Sequence, residues 1–288
     1  MGCNLDFKLY EAVEMGLYEE ARSLIGQGAV PGGYRGHLGK TCLMSVLRGA
    51  GLGIDLPFFK LILEAGADVT EIYQFGDSCL HYAVQCDKSG EVTHGILNAG
   101  ASTFVNLRNG SLGIAIIIAV RRLSFGVKDE KGKVNAVRHL LHFGASPAMK
   151  DRYRQTYFHA CSECSDSVLE MLCDNESSPS IINHADVNGG SPLQLAVLHC
   201  NLETVRLFLK NEANVNFISP GYGHGFPFDD DLSENSWDWQ NGSALHVSLN
   251  SLLFIQHSRF CSLIKWKPSP PKKPAALPVI LGKFLRSG

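Results

Sequence analysis

The stretch Gly76-Asp-Ser-Cys-Leu-His-Tyr-Ala83 is followed closely by Ile96-Leu-Asn-Ala-Gly-Ala101, and both motifs recur along the chain. In the second motif an apolar residue is followed two to three positions later by Gly-Ala. Its glycine stands at positions 28, 66, 100 and 144, and a degenerate copy, FLKNEA, has Glu212 in the same place. The spacing from 144 to 212 is 68 residues, which is two periods of 34. A fixed period of this length indicates a chain of repeated supersecondary units.

The first motif recurs in phase with the second. Its copies are Thr41-Cys-Leu-Met44, Thr156-Tyr-Phe-His159, Ser191-Pro-Leu-Gln194 and Ser243-Ala-Leu-His246. A serine or threonine at a helix start accepts hydrogen bonds from free backbone N–H groups. A glycine after a helix adopts the left-handed conformation at no steric cost. The two motifs therefore predict pairs of helices, each pair with an apolar flank that only a neighbouring pair covers.

These motifs resemble the T-P-L-H-x-A signature of ankyrin repeats. The resemblance implies an all-α ankyrin-repeat solenoid of about seven helix–turn–helix repeats. The predicted repeats are 4–30, 36–69, 73–102, 107–147, 151–184, 186–216 and 238–264. We therefore expect an ankyrin repeat domain over 1–264 with a long insertion at 217–237, followed by a proline-rich linker and short apolar tail over 265–288.

Unequal spacing between the motifs predicts where the repeats differ. Extra residues in repeats two and four fall between the two helices, at 48–55 and 123–133. In the sixth repeat, Val205, Leu207 and Leu209 are expected to form the apolar face of the second helix. Insertions in solenoids form loops on one face.

The composition and net charge argue against several classes of function. The formal net charge is −2, which provides no electrostatic footprint for nucleic acid. The apolar run 112–120 is too short to span a membrane. Nine scattered cysteines, with no leader pattern at the start, favour reduced thiols in the cytoplasm, or alternatively the nucleus. The sequence has neither a phosphate-binding glycine loop nor a G-x-S-x-G nucleophile motif, so we predict no enzyme and no cofactor.

The histidines of the first motif are candidates for either a structural role or metal binding. We expect His81, His159 and His246 to bond backbone groups of the neighbouring loop, because buried polar groups require partners. His159, Cys161 and Cys164 have a spacing found in metal sites, with Cys173 nearby. A structural zinc site needs four ligands, usually as two such pairs, so we predict no metal.

The ankyrin resemblance implies that partners contact the loops between repeats and the concave face formed by the first helices. Aromatic and arginine side chains are the usual anchors of protein interfaces. The candidate anchors near loop tips are Gln74, Phe75, Arg108, Arg152, Tyr153, Arg154, Trp237 and Trp239. Each of these side chains has the alternative of folding onto its own repeat. The sequence thus predicts a protein–protein interaction scaffold.

The apolar tail offers an alternative function. The residues Leu277, Pro278, Leu281, Phe284 and Leu285 occupy the fixed positions of the pattern that closes a SOCS box. That resemblance implies a substrate-recognition subunit of a ubiquitin ligase whose tail binds elongin and cullin subunits. The upstream stretch 260–265 resembles the first half of the box only with one residue deleted. A cap on the last repeat, or a disordered tail, are the other possibilities.

Overall fold

The computed structural model describes residues 2–48, 54–73, 76–110, 113–123, 130–163, 166–175, 179–199 and 201–217. Across these ranges the chain forms thirteen α-helices, and its only β pairings are isolated bridges at Ile72–Ser78 and Arg108–Ile114. The predicted all-α fold is confirmed. The predicted seventh repeat, the insertion from residue 218 onward and the tail lie outside the described residues.

The helices follow one another as six pairs. The first helices are α1 (Gly2–Glu14), α3 (Cys42–Arg48), α5 (Cys79–Cys86), α7 (Ala115–Arg121), α9 (Tyr157–Ala160) and α12 (Pro192–Leu198). The second helices are α2 (Tyr18–Gly26), α4 (Leu56–Glu64), α6 (Glu91–Asn98), α8 (Glu130–His142), α10 (Asp166–Asn175) and α13 (Leu202–Lys210). A short helix, α11 (Pro179–Ile182), follows α10. Each first helix contacts the next first helix, and each second helix contacts the next second helix. The result is a two-layered solenoid.

The core runs continuously between the two layers. The signature leucines Leu43, Leu80 and Leu193 are all 1% exposed or less. Aromatic rings join successive repeats, as where Tyr18 stacks on Phe58 with centroids 4.6 Å apart. Full burial of one such side chain stabilises the fold by about 2 kcal/mol, so stability comes from stacking of neighbours.

The apolar face of α13 differs in part from the prediction. Val205 is buried as expected, but Leu207 and Leu209 are only half-buried, and Phe208 is fully buried instead. Residues three and four apart share one helix face, so the buried residues are Thr204, Val205 and Phe208. Leu207 and Leu209 thus pack against the core only in part, and the prediction omitted Phe208.

The glycines after the second helices adopt the left-handed conformation that was predicted. Their φ angles are 95° at Gly28, 85° at Gly66, 117° at Gly100 and 87° at Gly144. Glu212 keeps the same conformation, with φ of 65°, although it carries a side chain. A left-handed residue with a Cβ costs about 1–2 kcal/mol. The sixth repeat thus retains the geometry of the motif after losing its glycine.

Asparagine side chains tie these helix ends to the preceding repeat. Asn183 Nδ2 donates to the carbonyl of Glu212 at 3.3 Å, and its Oδ1 accepts from the Asn214 N–H at 2.6 Å. Asn106 makes the equivalent pair of bonds, to the carbonyl of Gly144 and the N–H of Ser146. Backbone groups that the helices leave unpaired are satisfied in this way.

Backbones approach most closely between the starts of α6 and α8. A Cβ atom at Gly132 would collide with the carbonyl oxygen of Lys88, and one at Gly90 would lie 2.9 Å from the carbonyl of Gly132. The extra residues of repeat two fall between α3 and α4, as predicted, whereas the prediction for repeat four was partly wrong. Because α8 already begins at Glu130, the predicted stretch 123–133 includes the first turn of that helix.

Candidate protein-interaction surface

Two signature histidines join successive loops from inside the core. In His81, Nδ1 accepts from the backbone N–H of Ser78 at 3.2 Å, and Nε2 lies 3.2 Å from the carbonyl oxygen of Gly113. His159 repeats this arrangement with Thr156 and with Gly190. Because Nδ1 is an acceptor, Nε2 carries the proton and donates it to the carbonyl. The predicted structural role of both histidines is confirmed, whereas His246 lies outside the described residues.

Buried carboxylates shape the loop tips of repeats five and six. Asp151 Oδ1 accepts from the N–H groups of Tyr153 and Gln155 at 2.8 and 2.9 Å. Asp186 Oδ1 accepts from Asn188 and Gly190 at 2.8 and 3.0 Å. Aspartate side chains commonly stabilise turns by bonding to backbone groups shortly after them. Both carboxylates are at most 2% exposed, so their charge lies beneath the tip surface.

Side-chain and backbone bonds also connect one tip to the next. Arg121 donates at 2.6 Å to both Asp151 Oδ2 and Gln155 Oε1. Gln155 Nε2 in turn donates to Asp186 Oδ2 at 3.1 Å. The Val187 N–H bonds to the carbonyl of Tyr153 at 2.9 Å. The tips of repeats five and six are therefore held as one rigid unit before any partner binds.

In repeats two, three, five and six, the residue two positions before the first helix's Ser or Thr cap is left-handed. Gly39, Gly76 and Gly189 fill this position with φ between 77° and 80°. Repeat five instead has Arg154, with φ of 58°, and its side chain is exposed. Backbone strain of this kind persists where the surrounding structure enforces it, often at functional sites.

The sequence-predicted anchors fall into three groups. Arg108, Arg152 and Arg154 are exposed at the tips of repeats four and five. Tyr153 is half-buried, and the Arg152 guanidinium lies 4.7 Å above its ring, so that side chain is partly folded onto its own loop. The remaining candidates lie outside the described residues: Gln74, Phe75, Trp237, Trp239, Leu277, Pro278, Leu281, Phe284 and Leu285.

Further residues of the tip surface were not among the predicted anchors, although Leu38 was expected at a loop tip. Leu38 is 42% exposed and Ile72 is 50% exposed, at the loops that precede the first helices of repeats two and three. Lys150 precedes the tip of repeat five, and its carbonyl accepts a hydrogen bond from the guanidinium of Arg108. His184 precedes the tip of repeat six and faces the charges of Lys150 and Arg154. The tip surface thus exposes apolar side chains in repeats two and three and has a basic half in repeats four and five.

Metal-binding and membrane-spanning arrangements are not found in the part of the chain that the structure describes. Within it, no three His, Cys, Asp or Glu side chains are grouped so that they hold a metal ion. Cys164, one of the residues considered for such a site, lies outside that part. None of the described helices has the length and apolar character needed to cross a bilayer.

Comparison with known proteins agrees with the geometry. A family model described as ankyrin repeats, in three copies, matches residues 123–219. The nuclear factor NF-kappa-B p105 subunit of Rattus norvegicus is 26% identical over 163 residues. That match covers 54% of this chain and 16% of the relative, so the chain spans about a sixth of the curated relative's length.

The capped helix pairs, left-handed helix ends and histidine-linked loops define an α-helical repeat protein, and such repeats form a protein–protein interaction module. Together with these matches, they show that the chain contains ankyrin repeats.

Proposed function

We propose that this protein is a scaffold that binds other proteins through its loop tips and the adjoining first helices. The observation that carries the proposal is a rigid tip surface whose exposed side chains have no role in the fold's own core. Buried carboxylates and histidines fix the tip backbones, while Leu38, Ile72 and Arg152 remain at the surface. Binding residues that are held in place before association lose little conformational entropy when a partner binds.

The chemistry of the interior supports binding rather than catalysis. Burial raises the pKa of Cys42 and of Cys79 to about 12, so neither thiol supplies a nucleophilic thiolate near neutral pH. Burial also lowers the pKa of His159 to about 3, and both of its ring nitrogens are engaged in structural hydrogen bonds. These groups hold the repeats together.

Comparative affinity purification tests the scaffold proposal. Three tagged proteins are expressed in cytoplasm: the parent, a tip variant and a control. The tip variant combines Leu38→Asn, Ile72→Thr and Arg152→Ala. The control combines Arg138→Ala with Arg206→Ala on the second helices. Partners that the parent and the control retain, and that the tip variant loses at an unchanged melting temperature, support the proposal. Identical recovery with all three proteins contradicts it.

A second candidate function rests on the tail sequence. The fit of Leu277, Pro278, Leu281, Phe284 and Leu285 to the closing pattern of a SOCS box favours a substrate-recognition subunit of a ubiquitin ligase. In that case, deletion of 266–288 abolishes recovery of elongin and cullin subunits and leaves the stability of the repeats unchanged. If the tail is a cap, the same deletion lowers the melting temperature and elongin is absent from the parent sample as well.

A further inference from the structure

The exposed charge on the tips of repeats four to six has one sign. Four basic residues, Arg108, Lys150, Arg152 and Arg154, lie on these tips. Within the described residues, none of the four forms an ion pair. The acidic residues of the same tips, Asp151 and Asp186, are buried and committed to backbone N–H groups, to Arg121 and to Gln155. The tip surface is therefore basic although the whole chain is slightly acidic.

The structure also holds these cations close together. The guanidinium of Arg108 donates to the carbonyl of Lys150, which brings the tip of repeat four against repeat five. His184 responds to the charges of both Lys150 and Arg154, which lower its pKa after the larger effect of burial. The buried Nε2 atom of His184 has no hydrogen-bond partner among the described residues. A concentrated positive charge favours an anionic ligand.

Arg154 provides an independent observation. Repeats two, three and six fill its position with glycine, which adopts the required φ without a penalty. An arginine there strains the backbone and places a charged side chain on the surface. The fold alone favours glycine at this position, so the arginine points to a role outside the fold.

We infer that the basic tips of repeats four and five bind an acidic, extended segment of a partner protein through its carboxylates. This inference rests on the proposed scaffold function and specifies its partner. Guanidinium groups pair with carboxylates through two parallel hydrogen bonds, and three of the four cations are arginines. The Arg152 guanidinium lies over one face of the Tyr153 ring, so a nucleic-acid base cannot stack on that face.

Fluorescence anisotropy with defined probes tests the inference. The acidic probe is a labelled peptide in which glutamate alternates with serine, and the control probe has glutamine in place of glutamate. A third probe is a single-stranded oligonucleotide of similar length. We expect the full chain to bind the acidic probe, with affinity that falls as the salt concentration rises. Equal binding of the glutamine probe, or tighter binding of the oligonucleotide, overturns the inference.

Two sets of variants locate the binding. Arg152→Gln with Arg154→Gln lowers affinity for the acidic probe by about tenfold, whereas the matched pair Arg138→Gln with Arg206→Gln leaves it unchanged. The single change Arg154→Gly separates binding from folding. It weakens binding several-fold while the melting temperature stays the same or rises, because glycine relieves the strain. Unchanged affinity, or a lower melting temperature, overturns the role assigned to Arg154.

The chain's own Asp229–Asp231 run has the chemistry of the probe, so the measurements are repeated with these three residues changed to asparagine. Absence of binding to the acidic probe in both backgrounds overturns the inference. Failure of the acidic-segment inference is distinguishable from failure of the scaffold proposal. In that case the affinity purification still shows partners that the tip variant loses, whereas failure of the scaffold proposal leaves no partner that depends on the tips.

Discussion

The Nε2 atom of His159 lies 3.2 Å from the carbonyl oxygen of Gly190, so a side chain of repeat five bonds directly to the loop of repeat six. The ring is 2% exposed and its Nδ1 atom is occupied by the Thr156 N–H. Burial holds the pKa of His159 near 3, well below its ordinary value of 6.5. The bond therefore requires a neutral imidazole throughout the physiological range.

Acidification should destabilise the solenoid. In the unfolded chain His159 binds a proton below pH 6.5, whereas in the folded chain it stays neutral down to about pH 3. The stability that the neutral, buried His159 provides to the fold is fully present above pH 6.5. It is lost progressively as the pH falls from 6.5 towards 3. We expect a loss of about 1.4 kcal/mol per pH unit in this window, measured by urea unfolding at pH 7 and pH 5. His81 adds a change in the same direction, because burial lowers its pKa too.

His159→Gln serves as the control, because Gln194 occupies the same position in the sixth repeat and accepts from the Ser191 N–H at 2.8 Å. The variant should remove one histidine's share of the pH dependence. A pH dependence as steep as that of the parent would show that His159 is not the titrating group.

Replacing Glu212 by glycine should stabilise the protein by about 1 kcal/mol. The residue has φ of 65°, and removal of its Cβ relieves the strain at a smaller entropic cost. The measurement is the free energy of unfolding in urea. Glu212→Ala controls for loss of the charge, since alanine keeps the Cβ. Equal stabilisation by alanine and glycine would attribute the effect to charge and not to backbone conformation.

Leu193→Asp should lower the free energy of unfolding by at least about 3 kcal/mol, because a carboxylate would replace a side chain that is 1% exposed. Leu17→Asp is the matched control at a leucine that is 47% exposed. Its position at the start of α2 accepts aspartate as a cap, so stability should stay the same or rise. A Leu193→Asp protein as stable as the parent would refute the assignment of the sixth repeat.

Gly132→Ala should destabilise the protein, although alanine ordinarily favours a helix over glycine. The added Cβ meets the backbone carbonyl of Lys88, which cannot rotate away, and the expected loss is about 1–3 kcal/mol. Gly26→Ala is the control, because a Cβ there has no atom within 4 Å and should stabilise α2. The comparison uses thermal and urea unfolding of both variants. Stabilisation by both substitutions would mean that α6 and α8 are not in close contact.

The repeats themselves were predictable from the sequence because their determinants are local. Ser78 and His81 are three residues apart, and their bonds to each other form within a single helical turn. The face of α13 was less predictable, since Phe208 and Leu207 are both apolar and only the helix rotation decides which one is buried. Sequence spacing placed Leu207 inside, whereas packing against Phe158 of the preceding repeat favours Phe208.

The basic half of the tip surface was predictable only in part. Arg152 and Arg154 are visible in the sequence as a short run that also contains Asp151. In the sequence, that run contains both positive and negative residues. Its surface is basic only because Arg121, thirty residues earlier, pairs with Asp151 below the surface. The proximity of Lys150 and His184 likewise depends on stacking of separate repeats, which no local pattern encodes.

The close contact between Gly90, Gly132 and Lys88 limits where the length of the sequence can change. The contact fixes the start of α8 at a point beyond the stretch between Leu123 and Glu130. Insertions and deletions within that stretch therefore leave the position of α8 against its neighbour unchanged. We expect selection against substitution of the glycine at position 132. We expect homologous chains to vary in length before this glycine and to retain the glycine itself.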